Sequence, residues 1–292
     1  MRMYRFQPRN LLKLEIDVSK YNFKMLALAV FTVFLTACGT VQQTTAGSAT
    51  GVNRQQKFSI SSEALNAEAE KAYSEVMAEA RSKKILDTNA AMVSRVKRIT
   101  NNLITKTPAI RSDAVSWPWE VHVLTVDEEN AWCMPHGKMA IYSGLINNLK
   151  LTDAEIAQVM AHEISHALRE HSREQASRQQ TTGIFAGILG AVGQAYGITA
   201  ANEIASLGAD VGFNLPFSRT HETEADLLGM ELAARAGYNP DAASSLWDKM
   251  LSSGNAGTPQ FLSSHPSPEN RKATLQANAV KVRDLYNASA KK

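Results

Sequence analysis

A chain of 292 residues with 44% hydrophobic and 20% charged residues has the balance of a globular protein with one sizeable core or two lobes, not of a disordered or fibrous one. Its net charge of +3 is concentrated at the start: six Lys/Arg against two acids precede Cys38, a net +4, which leaves −1 for the remainder. A nearly neutral body argues against nucleic acid as a partner, because phosphate binding needs clustered cations.

Met25 to Ala37 form an uncharged stretch of 13 residues, too short to cross a bilayer as a helix. Basic residues precede it and small residues close it, the plan of a secretory signal peptide. The closing Leu35-Thr36-Ala37-Cys38 resembles the bacterial lipobox, in which the cysteine thiol is acylated and the chain is cut just before it. Residues 1–37 are therefore predicted to be a lipoprotein signal peptide, with Cys38 as the lipid attachment point. Residue 39 is Gly, not the aspartate that retains such lipoproteins at the inner membrane, so an outer-membrane lipoprotein facing the periplasm is expected. Residues 38–57 are rich in Gly, Ser, Thr and Gln without an apolar period, which predicts a flexible tether. With Cys38 acylated, Cys133 has no intramolecular partner.

Residues 58–292 form the expected domain. Helical spacing of apolar residues covers 61–84 and 88–106, the second closed by Pro108. Residues 119–126 alternate and are β-branched, and 138–143 reads as another strand. Met134-Pro135-His136-Gly137 between them suggests a hairpin or closely paired strands. Thr152 and Glu155 make a capping box that opens a helix running to about Arg173. Residues 181–212 are Gly/Ala-rich and only weakly hydrophobic, favouring a small-residue helical insert on the core over a membrane-dipping hairpin. Further helices are expected at 219–236, 241–252 and 268–286. The fold class is α+β, mainly helical with a small sheet.

Within the capped helix lies His162-Glu163-Ile164-Ser165-His166. Positions i and i+4 sit about 40° apart on one helical face, so two imidazoles can grip one Zn²⁺. Glu163 is offset by about 100°, which lets it flank the metal and take a proton from the attacking water. A histidine third ligand on the same helix is absent: positions 169 and 172 are Arg and Ser. The other solution is a glutamate from a second helix, and 219–226 supplies Glu222, Glu224 and Asp226. Glu222 and Asp226 share a face; one carboxylate can bind zinc while the other accepts the N–H of a liganding histidine. Of the remaining histidines, His122 and His136 read as strand and loop residues. His171 is predicted to face away from the metal, nine residues along a continuous helix. His221 does not share the face of its neighbour, and His265 is evenly balanced between site and loop. Arg271 is expected to anchor the terminal helix or steady the His265 loop.

HEISH at 162–166, HETEAD at 221–226, NAWCMPHGKMAIYSG at 130–144 and SHPSPENR at 264–271 occur in this order. Together they resemble the gluzincin family that includes the CAAX prenyl endopeptidases and bacterial quality-control metalloproteases, and within it the LoiP-type outer-membrane lipoproteins. The resemblance spans about 60–285 and implies a zincin fold and peptide-bond hydrolysis with one zinc per chain. It places Glu222, not Glu224, as the third ligand beside His162 and His166, with Asp226 behind them. Asn130 and Ala131 are implied to open a cleft strand that pairs with extended substrate. His265 is implied to stabilise the oxyanion or to cap the zinc in a latent state. His136 departs from the family, which commonly has Gly or another small residue there. Unfolded or misfolded envelope proteins are the implied substrates, with the membrane held through the lipid and envelope assembly factors or proteases as candidate partners. A chaperone-like binding lipoprotein with a latent metal site is the alternative reading.

Overall fold

The computed structural model describes residues 39–181, 216–252, 260–266 and 270–289. The signal peptide, Cys38 and nearly all of the expected 181–212 insert lie outside these residues, as does the start of the predicted terminal helix at 268.

The centre of the domain is a three-stranded sheet: β3 (Glu120–Leu124), β4 (Ala131–Met134) and β5 (Lys138–Tyr142), with β5 in the middle. The short connection Pro135–Gly137 makes β4 and β5 antiparallel, whereas β3 runs parallel to β5. The turn thus joins β4 to β5 and not the two strands expected on either side of it; β4, only four residues long, has no visible pattern of its own but begins where the resemblance implies a cleft strand at Asn130 and Ala131. At the bend, His136 has φ 65 and Gly137 φ 83, so His136 takes a left-handed conformation that Gly adopts without steric cost.

All five residues of β5 are buried, and its two faces meet different partners. Met139 and Ile141 pack with Ile99 and Leu103 of α2 (Ala90–Ile104) and Ile156 and Met160 of α4 (Asp153–Leu168). Ala140 and Tyr142 pack with Tyr73, Val76 and Met77 of α1 (Ser62–Ser82). The sheet is therefore sandwiched between α1 and the helical body. A short α3 (Ser143–Asn148) leads from β5 toward α4.

The helix α4 starts on the predicted capping box: Thr152 accepts from the Glu155 N–H, and the Glu155 carboxylate accepts from the Thr152 N–H at 2.8 Å. It ends at Leu168, earlier than the sequence suggested, and Glu170 turns the chain at φ 49 before α5 (His171–Thr181). Tertiary donors hold this break. Arg111 bonds the Leu168 carbonyl at 3.1 Å and Gln56 bonds that of Arg169 at 2.7 Å, satisfying acceptors that a helix end leaves open. No Gly or Pro marks the stop, so local sequence carried no sign of it.

Beside α4 lies α6 (Arg219–Arg235), N-capped by Ser218. A Cβ placed on Gly229 would come within 2.8 Å of the His162 backbone nitrogen, so glycine lets the two helices meet backbone to backbone. The remaining described helices are α7 (Ala242–Ser252), α8 (Gln260–Ser264), α9 (Arg271–Ala279) and α10 (Arg283–Ser289). No helix among the described residues is long and apolar enough to cross a membrane.

The stretch expected to be a flexible tether is instead built into the body. β1 (Thr40–Gln42) pairs antiparallel with β2 (Gln56–Phe58), and Gln56 and Phe58 are buried. The loop between them is fastened too: Ala46 N–H donates to the Ile110 carbonyl and Ala49 N–H to Glu231, each at 2.8 Å. Polar, small residues read as linker composition, but here they satisfy buried groups of the domain.

Gly229→Ala forces α6 away from α4. It is expected to lower the unfolding free energy by about 1–3 kcal/mol, measured by denaturant titration; an unchanged midpoint would contradict the close approach.

Candidate metal centre

The helices α4 and α6 bring their polar faces together under the β4 edge. His162, His166, Glu222 and His265 each present one donor atom within 4.8 Å of all the others, and all four are buried. This is the only such group among the described residues. The spacing is telling. His162 Nε2 is 3.1 Å from His166 Nε2 and 3.3 Å from His265 Nδ1. Glu222 oxygens lie 3.5 Å from His162 Nε2, 3.4 Å from His166 Nε2 and 3.1 Å from His265 Nδ1. A tetrahedron of ligands about 2.0–2.1 Å from zinc has edges of about 3.3–3.4 Å. Three nitrogens and a carboxylate at these separations fit Zn²⁺ in both chemistry and size. Glu222 Oε2 is buried and makes no well-aligned hydrogen bond, though the Arg271 guanidinium lies 3.2 Å from it.

Asp226 and Arg271 pack behind the cluster. Asp226 Oδ1 accepts from His162 Nδ1 at 3.0 Å, which leaves Nε2 bare to face the cluster. Buried Arg271 donates to Asp226 Oδ1 at 2.6 Å, pairs with Glu222 at 3.2 Å and stacks 3.9 Å above Trp247. It thus anchors α9 directly to the site. Burial works against the His162 imidazolium, yet Asp226 and Glu222 raise its pKa to about 9, whereas burial drives that of His166 well below its ordinary value. For Glu222 burial is again opposed, and His265 and His162 hold the carboxyl well below the usual range.

Glu163 lies on the β4 side of the cluster, 2% exposed, with Oε1 toward His265 and the backbone of Cys133 hydrogen-bonded to its carboxylate. Burial raises its pKa, a direction that suits a proton acceptor working near neutrality. β4 is an edge strand. Tyr142 N–H donates to the Asn130 carbonyl, so by antiparallel alternation the main-chain groups of Ala131 and Cys133 point away from β5. Asn130 and Ala131 themselves are buried, and the Asn130 side chain accepts the Ala131 N–H at 2.9 Å. A cavity of about 200 Å³ opens at the far end of β4, reaching His166 between Trp117, Pro135, His136 and Arg173.

His265 completes the cluster. Its Nε2 lies 3.4 Å from Glu163 Oε1, its ring stacks on Phe261, and Phe261 N–H donates to the Glu129 carbonyl at 3.0 Å. The segment carrying His265 is thereby hooked to the residue before Asn130, across the start of the edge strand.

One expectation fails. His171 does not face away: the break at Glu170 swings it back so that its Nδ1 is 2.9 Å from His166 Nδ1. Its other nitrogen meets Glu224 at 3.0 Å, and its ring stacks on His221, which bonds Glu174 at 3.2 Å. Arg54 binds both acids, at 2.7 Å each. The angular argument assumed a continuous helix, so this buried layer was missed. His122 is a surface strand residue paired with Asp87 and Glu120.

The sequence pattern of Peptidase family M48 matches residues 90–279. The chain is 36% identical over 163 residues to mitochondrial metalloendopeptidase OMA1 of Arabidopsis thaliana, covering 56% of this chain and 32% of that protein. Against the Schizosaccharomyces pombe enzyme of the same name it is 29% identical over 221 residues, 75% of this chain and 62% of that one. With the beta-barrel assembly-enhancing protease of Escherichia coli it shares 28% identity over 186 residues, 61% and 38% of the two chains. The matched region thus spans 32% to 62% of these relatives' own length.

Burial opposes the Glu224 carboxylate, but His171, Arg54 and Arg169 bring its pKa down to about 2 from 4.5. A carboxyl depressed in the folded state stabilises it above pH 4.5, and that contribution is lost as pH falls toward 2. Arg54→Met relaxes the depression, so acid unfolding followed by circular dichroism is expected to begin at higher pH than in wild type. An unshifted acid midpoint would count against the network.

Proposed function

The chain belongs to peptidase family M48; from that premise we propose that it is a zinc-dependent metalloendopeptidase, an outer-membrane lipoprotein of the LoiP type that cleaves misfolded or unassembled envelope proteins on the periplasmic side. The observation that carries the site assignment is the donor cluster of His162, His166 and Glu222 with the buried Glu163 carboxylate beside it and an edge strand above. In this reading His162, His166 and Glu222 hold the zinc, and Asp226 fixes the orientation of His162. Zinc supplies Lewis acidity, polarising the scissile carbonyl and acidifying the attacking water.

The protein's own groups do the rest. Glu163 takes a proton from the water and delivers it to the leaving amine, so one C–N bond breaks and one C–O bond forms. The outward carbonyls of Ala131 and Cys133 accept from an extended chain added as a further strand, the outward N–H groups being held by Asn130 and Glu163. Such pairing reads backbone and not side chains, which suits substrates that are unfolded. The cavity beside His166 is the place for one substrate side chain. The envelope assignment is supported by the Leu-Thr-Ala-Cys sequence at Cys38 and by the name of the Escherichia coli relative.

Of the two roles that the resemblance implied for His265, its position favours the cap. A fourth protein donor closes a site that needs an open position for catalysis. Substrate binding then requires His265 and the Phe261–Glu129 hook to move aside together.

Cleavage of casein by wild type and by Glu163→Gln, each with zinc content measured, tests the assignment. Near one zinc in both and a loss of activity of at least about 100-fold in the variant is expected. Zinc in both with no cleavage by either would favour a binding lipoprotein instead. His265→Ala is expected to cleave casein several-fold faster than wild type at equal zinc loading; slower cleavage would return His265 to the oxyanion role.

A further inference from the structure

His166 and His162 are held in orientation by different devices. His162 leans on a carboxylate directly, whereas His166 Nδ1 meets another imidazole, that of His171, at 2.9 Å. Behind His171, Glu224 Oε2 lies 3.0 Å from Nε2. Glu224 is in turn gripped by Arg169 through Nη2 at 3.0 Å and by Arg54 through Nε at 2.7 Å. His171 and Arg169 are fully buried, out of contact with bulk solvent.

Hydrogen-bond logic then fixes every proton along the row. A carboxylate held by two guanidinium groups only accepts, so the His171 proton sits on Nε2 and points at Glu224. The His171 Nδ1 is left bare and can only accept, so His166 carries its proton on Nδ1. The His166 Nε2 is consequently bare and directed into the donor cluster. Resting on the metal role proposed above for His166, we infer that His171 is a positioning residue of the metal centre, a relay through which Glu224 and the Arg54 of the N-terminal segment select the metal-binding tautomer of His166. The sequence separates the members widely, since Arg54, His171 and Glu224 come from β2's approach, α5 and α6, and only the break at Glu170 brings the relay into line.

The test reads zinc and protons directly. In the zinc-loaded full chain with ¹⁵N-labelled histidine, long-range ¹⁵N–¹H spectra are expected to show His166 protonated at Nδ1 and His171 protonated at Nε2. A proton on His171 Nδ1 would overturn the relay, and this measurement needs no variant to fold. Zinc affinity by chelator competition provides the second arm. His171→Leu removes the acceptor and is expected to weaken zinc binding by about 10- to 100-fold. His171→Asn places a carbonyl oxygen near the Nδ1 position and is expected to recover most of that loss, which a role in packing alone would not produce. Wild-type affinity in His171→Leu would sink this inference and leave the metal centre standing. Absence of zinc from folded wild type would remove the centre itself and the relay with it.

Discussion

Everything at this site depends on how closely α4 and α6 approach. Two imidazoles one turn apart on α4 can grip a metal only if a carboxylate arrives from outside the helix, at a distance set by the separation of the two backbones. Gly229 sets that distance, because any side chain there would meet the His162 backbone. Glu222 and Asp226 lie two turns and one turn before it on the same helix, so the glycine positions both the candidate ligand and the group that orients His162. Apolar residues of the same pair, among them Ile164, Leu228 and Leu232, bury the contact and lock its register.

Packing four ligand-type side chains into one dry volume is costly without a cation, and the surroundings carry the signs of that. Buried carboxylates sit beside buried imidazoles, Arg271 and Trp247 brace one side, and the Arg54–Glu174–Glu224 group braces the other. The effect is a centre whose supports come from widely separated parts of the described chain: the N-terminal segment, α4 and α6, α5 and α9. Geometry of this kind is tolerant of substitution at the surface and intolerant at the braces.

Much of this was legible in the sequence because it is local. The spacing of His162 and His166, the Thr152–Glu155 box, and the shared face of Glu222 and Asp226 all express helical periodicity, and the helices are where periodicity placed them. What stayed hidden depended on long-range contacts. β4 is too short to alternate visibly, and its partner is fixed by the turn at His136 and Gly137. The end of α4 is enforced by Arg111 and Gln56 from elsewhere, and the misplaced His171 followed from that one missed break. Residues 39–57 looked like linker because composition records solubility, not whether a distant arginine awaits the polar groups.

That last segment bears on where the enzyme can work. A free tether of about twenty residues would let a lipid-anchored domain roam roughly 25 Å from its anchor. With β1 beginning at Thr40, a single glycine separates the strand from Cys38. Were Cys38 acylated as proposed, one residue and not about twenty would separate the lipid from the folded domain, and the reach of the leash would shrink accordingly.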